Sequence, residues 1–594
     1  MTDIAWRAWS DEAFTEAQQQ NKPVLLSIVA PWCQFCRAMD EQTFSNEAIA
    51  QFISDNLVPV RVDSDKRPDI NSRYTQGGWP TTCVLSPEGD LIWGGTFVPA
   101  DGMAQLLPQV LHAFRNDKQG MATHIAQVRE QVQQQTTAPP LDTSLEVTAD
   151  IVRNAVLGAK QNFDFAFGGF GKEQKFPHVE ALELCLEQYA ASVRGGEPDQ
   201  DFAIMLEKTL TGLVEGDLHD QGAGGFFRYT QTPDWRAPQV EKLLEDNALL
   251  ARSLARAYQV LGDNRWKDAA TKTFEYLDTV LFDETRGTWG GSQYADAEYY
   301  AQPLAERADW NPPTVDPTVL AGPNALAVRA HVSWWQATGD SEALAKAKRG
   351  FDFLTENLLK QDGALDHFLP EADTDLSQVG RIPTGLLSDS ADYIAAALDL
   401  YEAGQGVAYL DSADLVATWV RGHLEDPRGS ALFDSATRPD AVGNLKVGTK
   451  DVPDNMQAAD ALLRLYLLTG DEEHAHLAQR ILQAFIPASP QLGFFGSGFA
   501  LAAQRALLPP ILVHVLGTEG APETQALIAA ANKPYRYERA VQPLDPANPD
   551  DAEHIESLGY KPDALPVAYV CVATRCLEPT TGPAALSELV ATAF

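Results

Sequence analysis

Cys33 and Cys36 stand three residues apart behind Trp32 in the stretch APWCQFCRAMD. Such a pair can serve as a dithiol redox centre, as half of a zinc site, or as two packed core residues. The run KPVLLSIVA before it has the composition of a buried strand, and the residues after it are helical in pattern. Cys33 therefore falls at a helix N-terminus, where unpaired backbone N–H groups and the helix dipole favour a thiolate over a thiol. An accessible thiolate at Cys33 could attack a disulfide, and Cys36, one turn along, could resolve the mixed disulfide. Zinc would need two further Cys or His ligands, and nearby Cys83 stands alone, so no metal is expected. The redox reading is favoured over a structural pair.

A second stretch, WPTT (Trp79 to Thr82), precedes a strand-like run. Thioredoxin-like folds place a cis-proline opposite the two cysteines, where flanking backbone can pair with a substrate chain. Pro80 is the candidate, Gly77 and Gly78 allow close approach, and Trp32 and Trp79 are expected in support. Cys83 reads as a buried strand residue. Cys571 and Cys576, five apart, would face opposite sides of a continuous strand and read as structural.

The elements around these residues alternate as in an α/β domain over residues 1–116, followed by a polar, partly helical linker over 117–145 that contains QQQTTAPP. From 146 to 507 strands give way to a repeat. Glycine-rich returns recur at Gly168, Gly224, Gly290, Gly363, Gly429 and Gly493, and tight glycine turns at Gly262, Gly339, Gly404 and Gly470 join helix-length segments between them. A hairpin of two helices cannot bury its apolar face alone, so a period of this length implies a solenoid or its closed form. Six returns predict an all-α (α/α)6 toroid, with an open superhelix as the alternative. Residues 508–594 read as a small α/β segment, with QPLDPANPDD as a surface loop.

Composition narrows the classes of partner. The 594 residues carry 45 Lys+Arg against 82 Asp+Glu, a net charge of −37, which disfavours nucleic acid and anionic membrane surfaces. No basic, apolar leader opens MTDIAWRAWSDEAF, and no apolar run reaches membrane-spanning length, so a cytoplasmic location is expected. Six cysteines are too few for a disulfide scaffold. His474 and His476 are expected on an exposed outer helix, and Trp334 and Trp335 in the core.

The runs NKPVLLSI, VDSDKRPDI, GGWPTTCVLSPEGD and GGTFVP, together with the C-x-x-C, resemble the signature segments of the spermatogenesis-associated protein 20-like family. Further matches are GGFGKEQKFP, GGFFRYTQTPDW, VEKLLEDNALL, DPTVLAGPNALAVRA and AYVCVATRC, so the resemblance spans nearly the whole chain. It implies a thioredoxin-like domain joined to a six-hairpin toroid similar to that of glycosidases and sugar 2-epimerases. This chain departs from the family at Gln34, Arg37, Phe227 and Gln239, where the family tends to carry histidine, and from ordinary thioredoxins at Ser27, where they carry a buried aspartate.

The returns should gather at one end of the toroid and line a cup. Candidates for its wall are Lys175, His178, Asp217, Arg228, Glu241, Asp246, Asp296, Asn324, Asp389 and Asp392. Paired carboxylates among them could do the acid and base work of glycoside hydrolysis or epimerisation, or could simply cap helices. The leading expectation is a thiol–disulfide oxidoreductase acting on a protein or small-molecule thiol or disulfide, with no cofactor. The alternatives are a carbohydrate-active toroid with a regulatory thioredoxin-like domain, and a non-catalytic scaffold.

Overall fold

The computed structural model describes residues 4–136, 141–371, 374, 376–428, 431–436, 441–561, 564–573 and 575–593. The expected return at Gly429 and residues 137–140 of the polar stretch lie outside them. The N-terminal unit is built on a sheet of strands β1 (Val24–Val29), β2 (Val58–Asp63), β3 (Thr81–Leu85) and β4 (Leu91–Gly95) in the order β2-β1-β3-β4. β1 runs parallel to β2 and antiparallel to β3, and β3 antiparallel to β4. Helices cover both faces, which is why β1 reads as an unbroken apolar run rather than an alternation. Val24, Leu26 and Ile28 pack with Trp9 and Phe14 of the α1 (Asp11–Gln20) side. Leu25 packs on the other face with Met39 of α2 (Gln34–Met39), Ile53 of α3 (Glu47–Asn56) and Leu107 of the later helix Ala100–Asn116.

A short helix, α4 (Pro68–Tyr74), leads towards β3, and α5 (Ala100–Asn116) ends the predicted domain. The next stretch forms one helix, α6 (Lys118–Thr136), that lies along this same unit. His124 Nε2 sits 3.1 Å from the Ile92 carbonyl, and Arg129 Nε donates to Asp90 at 2.6 Å. Much of the predicted linker thus packs as an added helix.

The toroid uses twelve helices: α7 (Ala149–Asn162), α8 (Val179–Arg194), α9 (Gln200–Glu215), α10 (Leu244–Leu261), α11 (Asn264–Tyr276), α12 (Ala321–Thr338), α13 (Ser341–Asn357), α14 (Leu387–Glu402), α15 (Val407–Leu424), α16 (Val452–Thr469), α17 (Glu472–Phe485) and α18 (Ser497–Leu507). α8, α10, α12, α14, α16 and α18 form an inner ring in that order, and α18 returns to α8. Each outer helix from α9 to α17 packs on the inner helix before it, while α7, the first in sequence, packs on α18, the last. That pairing closes the ring and rules out the open superhelix.

Inner helices such as α12 and α14 are buried on almost every side. Outer α9 buries only Phe202, Met205, Leu206, Thr209, Leu210 and Leu213, a stripe at three- and four-residue spacing. Three hairpins turn on the same dipeptide. Gly262, Gly339 and Gly470 end their helices in the left-handed conformation, and the following Asp263, Asp340 and Asp471 cap the next helix. A Cβ at these glycines would meet nothing, so backbone conformation rather than space selects glycine there. The expected core tryptophans Trp334 and Trp335 are buried. His474 is buried too, against expectation, because its Nε2 reaches Asp414 at 2.8 Å on the neighbouring outer helix.

The C-terminal unit contains β5 (Ile511–Leu516), α19 (Pro522–Asn532), β6 (Arg539–Leu544), α20 (Pro549–Ser557), β7 (Val567–Val572), β8 (Arg575–Cys576) and α21 (Pro583–Thr592). Its order, β6-β5-β7-β8, and its parallel, antiparallel, antiparallel pairings repeat those of the N-terminal sheet. QPLDPANPDD is a loop only at its centre, Asp545 to Asn548: its first residues end β6 and its last begin α20. Pro543 is tolerated because β6 is an edge strand, and Pro549 because a first helical position needs no N–H partner. Cys571 and Cys576 face each other, since the chain turns between β7 and β8, and they form a disulfide.

Candidate active site

β1 ends just before the cysteine loop, and Cys33 N–H turns back to the Ala30 carbonyl at 3.1 Å. This places Cys33 as the N-cap of α2, where its sulfur accepts the Cys36 N–H at 3.3 Å. The same sulfur lies 3.7 Å from the Trp79 carbonyl, beside the cis Trp79–Pro80 peptide. Hydrogen bonding with the Cys36 thiol holds the Cys33 thiol below its ordinary range, despite burial. That same bond, with burial, drives Cys36 far upward. Cys33 is therefore the sulfur suited to attack. Ser27 is buried on β1 with its hydroxyl unpartnered among the described residues, and a hydroxyl cannot take the Cys36 proton near neutral pH.

Cys33 is only 5% exposed and Cys36 4%, so the expected free access is absent. The cover comes from the toroid: Leu243 and Tyr294 join Ala30, Trp32, Trp79 and both cysteines in one apolar cluster. The Arg228 guanidinium lies 5.0 Å over Trp32 and 4.9 Å over Trp79, and 3.6 Å from Glu241. Trp32 Nε1 donates to Asp65 at 2.9 Å, and its carbonyl accepts the Ala295 N–H. His367 clamps the two bodies, bonding the Asp65 carbonyl through Nε2 and the Asp389 carboxylate through Nδ1, both at 2.7 Å. Burial works against its charge, but Asp389 outweighs burial and lifts His367 to about 9.

Among the predicted cup residues, Arg228, Glu241, Asp246, Asp389 and Asp392 gather beneath the cysteines, around the first turns of the inner helices. Burial pushes Asp246 up to about 7, with Glu245 adding to it, and Asp392 up to about 8 despite Arg329. His178 stands among Phe170, Phe494 and Phe495 at the seam where the ring closes, and burial pulls it down to about 4.

The other four belong to the scaffold. Lys175 is fully buried, its ammonium on Asp164 and the Gly171 carbonyl. Asp217 pairs with Arg236 on the surface, and Asp296 caps the one-turn helix Ala297–Tyr300. Asn324 accepts the Trp289 N–H and donates to the Trp289 carbonyl, pinning a glycine-rich return to an inner helix. Asn247 and Asn455 pin two further returns through Phe226 and Leu432 in the same way.

The family model Thioredox_DsbH, described as a protein of unknown function, DUF255, matches residues 1–133. An uncharacterized protein of Caenorhabditis elegans is 33% identical over 261 residues, covering 42% of this chain but only 35% of that protein. Spermatogenesis-associated protein 20 of Homo sapiens is 25% identical over 719 aligned residues, covering 99% of this chain and 90% of that protein. The chain is a near full-length homologue of spermatogenesis-associated protein 20. Among solved structures, a D-mannose isomerase is similar at a TM-score of 0.48 and 12% identity, over 60% of this chain and 97% of that one.

Three of the four positions expected from the sequence to differ from the family pattern lie along the joint between thioredoxin-like domain and toroid. Gln34 Nε2 donates to Gln239 at 3.0 Å, and Arg37 reaches the Ala295 carbonyl. Phe227, the fourth, is buried edge-on against Tyr300.

Sequence reasoning missed the axial polar residues. Glu245, Leu249, Arg252, Arg256 and Gln259 form one stripe on α10, and Arg329, Ser333 and Gln336 another on α12. The signal was present: charged residues at three- and four-residue spacing inside helices otherwise buried on all sides.

Proposed function

We propose that this chain is a thiol–disulfide oxidoreductase whose reacting sulfur, Cys33, works at the joint between the thioredoxin-like domain and the toroid. The observation that supports it is the position of Cys33 Sγ, between the Cys36 N–H at 3.3 Å and the Trp79 carbonyl at 3.7 Å. The Cys33 thiolate attacks a disulfide of a protein or small molecule, forming a mixed disulfide and releasing one substrate thiolate, which takes up a proton. The Cys36 sulfur, on losing its proton, attacks Cys33, forming the Cys33–Cys36 disulfide and releasing the second thiol. The substrate is reduced by two electrons and the dithiol oxidised by two. Leu243 and Tyr294 must give way first, so the joint controls access.

The test is a Cys36→Ser variant incubated with disulfide substrates and analysed by intact mass. Adducts at Cys33 that dithiothreitol removes are expected. No adducts, with Cys33 alkylating no faster than buried Cys185, would sink the reading.

A second reading, a carbohydrate-active cup, draws support from Asp246 and Asp392, carboxyls that burial at the mouth raises to about 7 and about 8, so that each keeps a protonated fraction near neutral pH able to act as a general acid. Its test is a sugar panel read by thermal shift and isomer analysis. Indifference to every sugar removes it.

A further inference from the structure

Below the mouth, the toroid axis holds a cavity of about 330 Å³. Asn532, Tyr535, Tyr537 and Arg539 of the C-terminal unit close its far end. Charge is sorted along this axis. The mouth carries carboxyls in the first turns of the inner helices, and the floor carries arginines.

Most floor arginines are matched. Arg256 pairs with Glu183 at 2.5 Å, and Arg505 with Asp460 at 2.6 Å. Arg464 holds Asp399 at 2.7 Å and Glu402 at 2.6 Å, and Arg329 shares Asp399 at 3.2 Å. Arg536, which also reaches the lining, has Glu538 at 2.7 Å. These carboxylates are then used.

Two arginines remain without one. Arg539 donates to the carbonyls of Asn532 and Pro534 and to the Asn532 side chain, but its Nε has no partner among the described residues. Arg252 forms no ion pair, and its buried Nε also has no hydrogen-bond partner among the described residues. It follows Glu245 and Leu249 and precedes Arg256 on the axial stripe of α10, so its side chain lines the cavity. Burial, with Arg256 and Arg329 beside it, pulls Arg252 down to about 9. Glu183 and Asp399 attract it, but they are bonded to Arg256, Arg329 and Arg464, so the Arg252 fork of N–H donors remains suited to a bidentate oxyanion.

We propose that the floor of the axial cavity binds a small organic oxyanion, a phosphate ester or a carboxylate, with its charged group seated on Arg252. The volume, at the small end of ligand pockets, fits a single-ring metabolite and not a polymer. The remainder of the ligand extends towards the mouth, where Glu245 and Asp392 offer hydrogen bonds to hydroxyl groups. This site is independent of Cys33 and stands whether or not the cysteines exchange disulfides.

The test uses the full-length protein with inorganic phosphate, glucose 6-phosphate and gluconate as probes, each against sodium chloride at matched ionic strength. Calorimetry should show one-to-one saturable binding of at least one probe, with a rise in unfolding temperature beyond that from chloride. Binding of phosphate and glucose 6-phosphate alone identifies a phosphate seat, and binding of gluconate alone a carboxylate seat. Arg252→Met should weaken that binding at least tenfold while the ligand-free protein still unfolds in one cooperative thermal transition. Arg252→Lys, which keeps the charge but not the fork, should retain measurable binding. No shift beyond chloride with any probe, or full affinity in Arg252→Met, overturns the proposal.

Discussion

The two α/β units at opposite ends of the toroid share one topology and differ in chemistry. Both place four strands in the same order with the same parallel and antiparallel pairings, and both have a cis X-Pro bond just before the third strand, at Trp79–Pro80 and Leu565–Pro566. After its first strand, the N-terminal unit has Cys33 capping a helix. The C-terminal unit has the turn from Gly517 to Ala521 there, with no sulfur. Its two cysteines lie instead in the hairpin between the third and fourth strands, already joined to each other. A fold of this kind is thus a frame, and the residues in one loop decide what it does. The toroid treats the two frames differently as well. It covers the cysteine edge of one with Leu243 and Tyr294, and uses the other to close the arginine floor.

The contrast breaks most directly at the sulfurs. Cys33→Ser should lower disulfide exchange by about a thousandfold or more, since the attacking atom is lost. Replacing Cys571 and Cys576 together with serine should leave exchange within about twofold. An equal loss in both variants, measured by substrate turnover, would mean that the two ends do not divide the chemistry as described.

The joint at the N-terminal end should respond to pH through His367, which the C-terminal end lacks. Its charged form is favoured in the folded state, up to about 9. The stability it contributes is fully present below about pH 6.5, the ordinary histidine value, and disappears as pH rises through about 9. His367→Asn should therefore be destabilised by about 3 kcal/mol at pH 6 and match the parent above pH 9. Denaturant titrations at the two pH values check this.

A smaller effect sharpens the role of the cover. Leu243→Ala or Tyr294→Ala should raise the alkylation rate of Cys33 about tenfold, an effect worth about 1.4 kcal/mol of opening, while Cys83 and Cys185 in the cores stay protected. Peptide mass mapping of each thiol reads the difference.

At the mouth the pH effect has the opposite sign. Asp392 stays protonated in the folded state to about pH 8, so its ionisation opposes folding increasingly between about pH 4 and 8. Asp392→Asn should raise the unfolding temperature by about 5 °C at pH 8 and not at all below pH 4. Thermal scans across pH test the sign.

Much of the frame was legible in the primary structure. The strand–cysteine–helix run located Cys33, and the recurrent Gly-Asp turns announced the hairpins, because capping and left-handed conformation are local demands met by few residue types. The two strands on either side of Ala573 were less legible. Cys571 and Cys576 meet only because the chain reverses there.

The sequence alone determined the order of elements, the position of the cysteine pair at a helix start and the likeness to a known family, since each depends on neighbouring residues or on short motifs. Tertiary structure decided the rest. Ring closure joins α7 to α18 across the whole repeat, and the toroid, from more than two hundred residues away, turns an expected open cysteine into a buried one. Whether an acid or base faces solvent, a partner or an empty axis depends on which helices meet. Lys175 and Asn324 therefore became scaffold, while Arg252, unremarked among its neighbours in the chain, was left lining the cavity with its Nε unpartnered among the described residues.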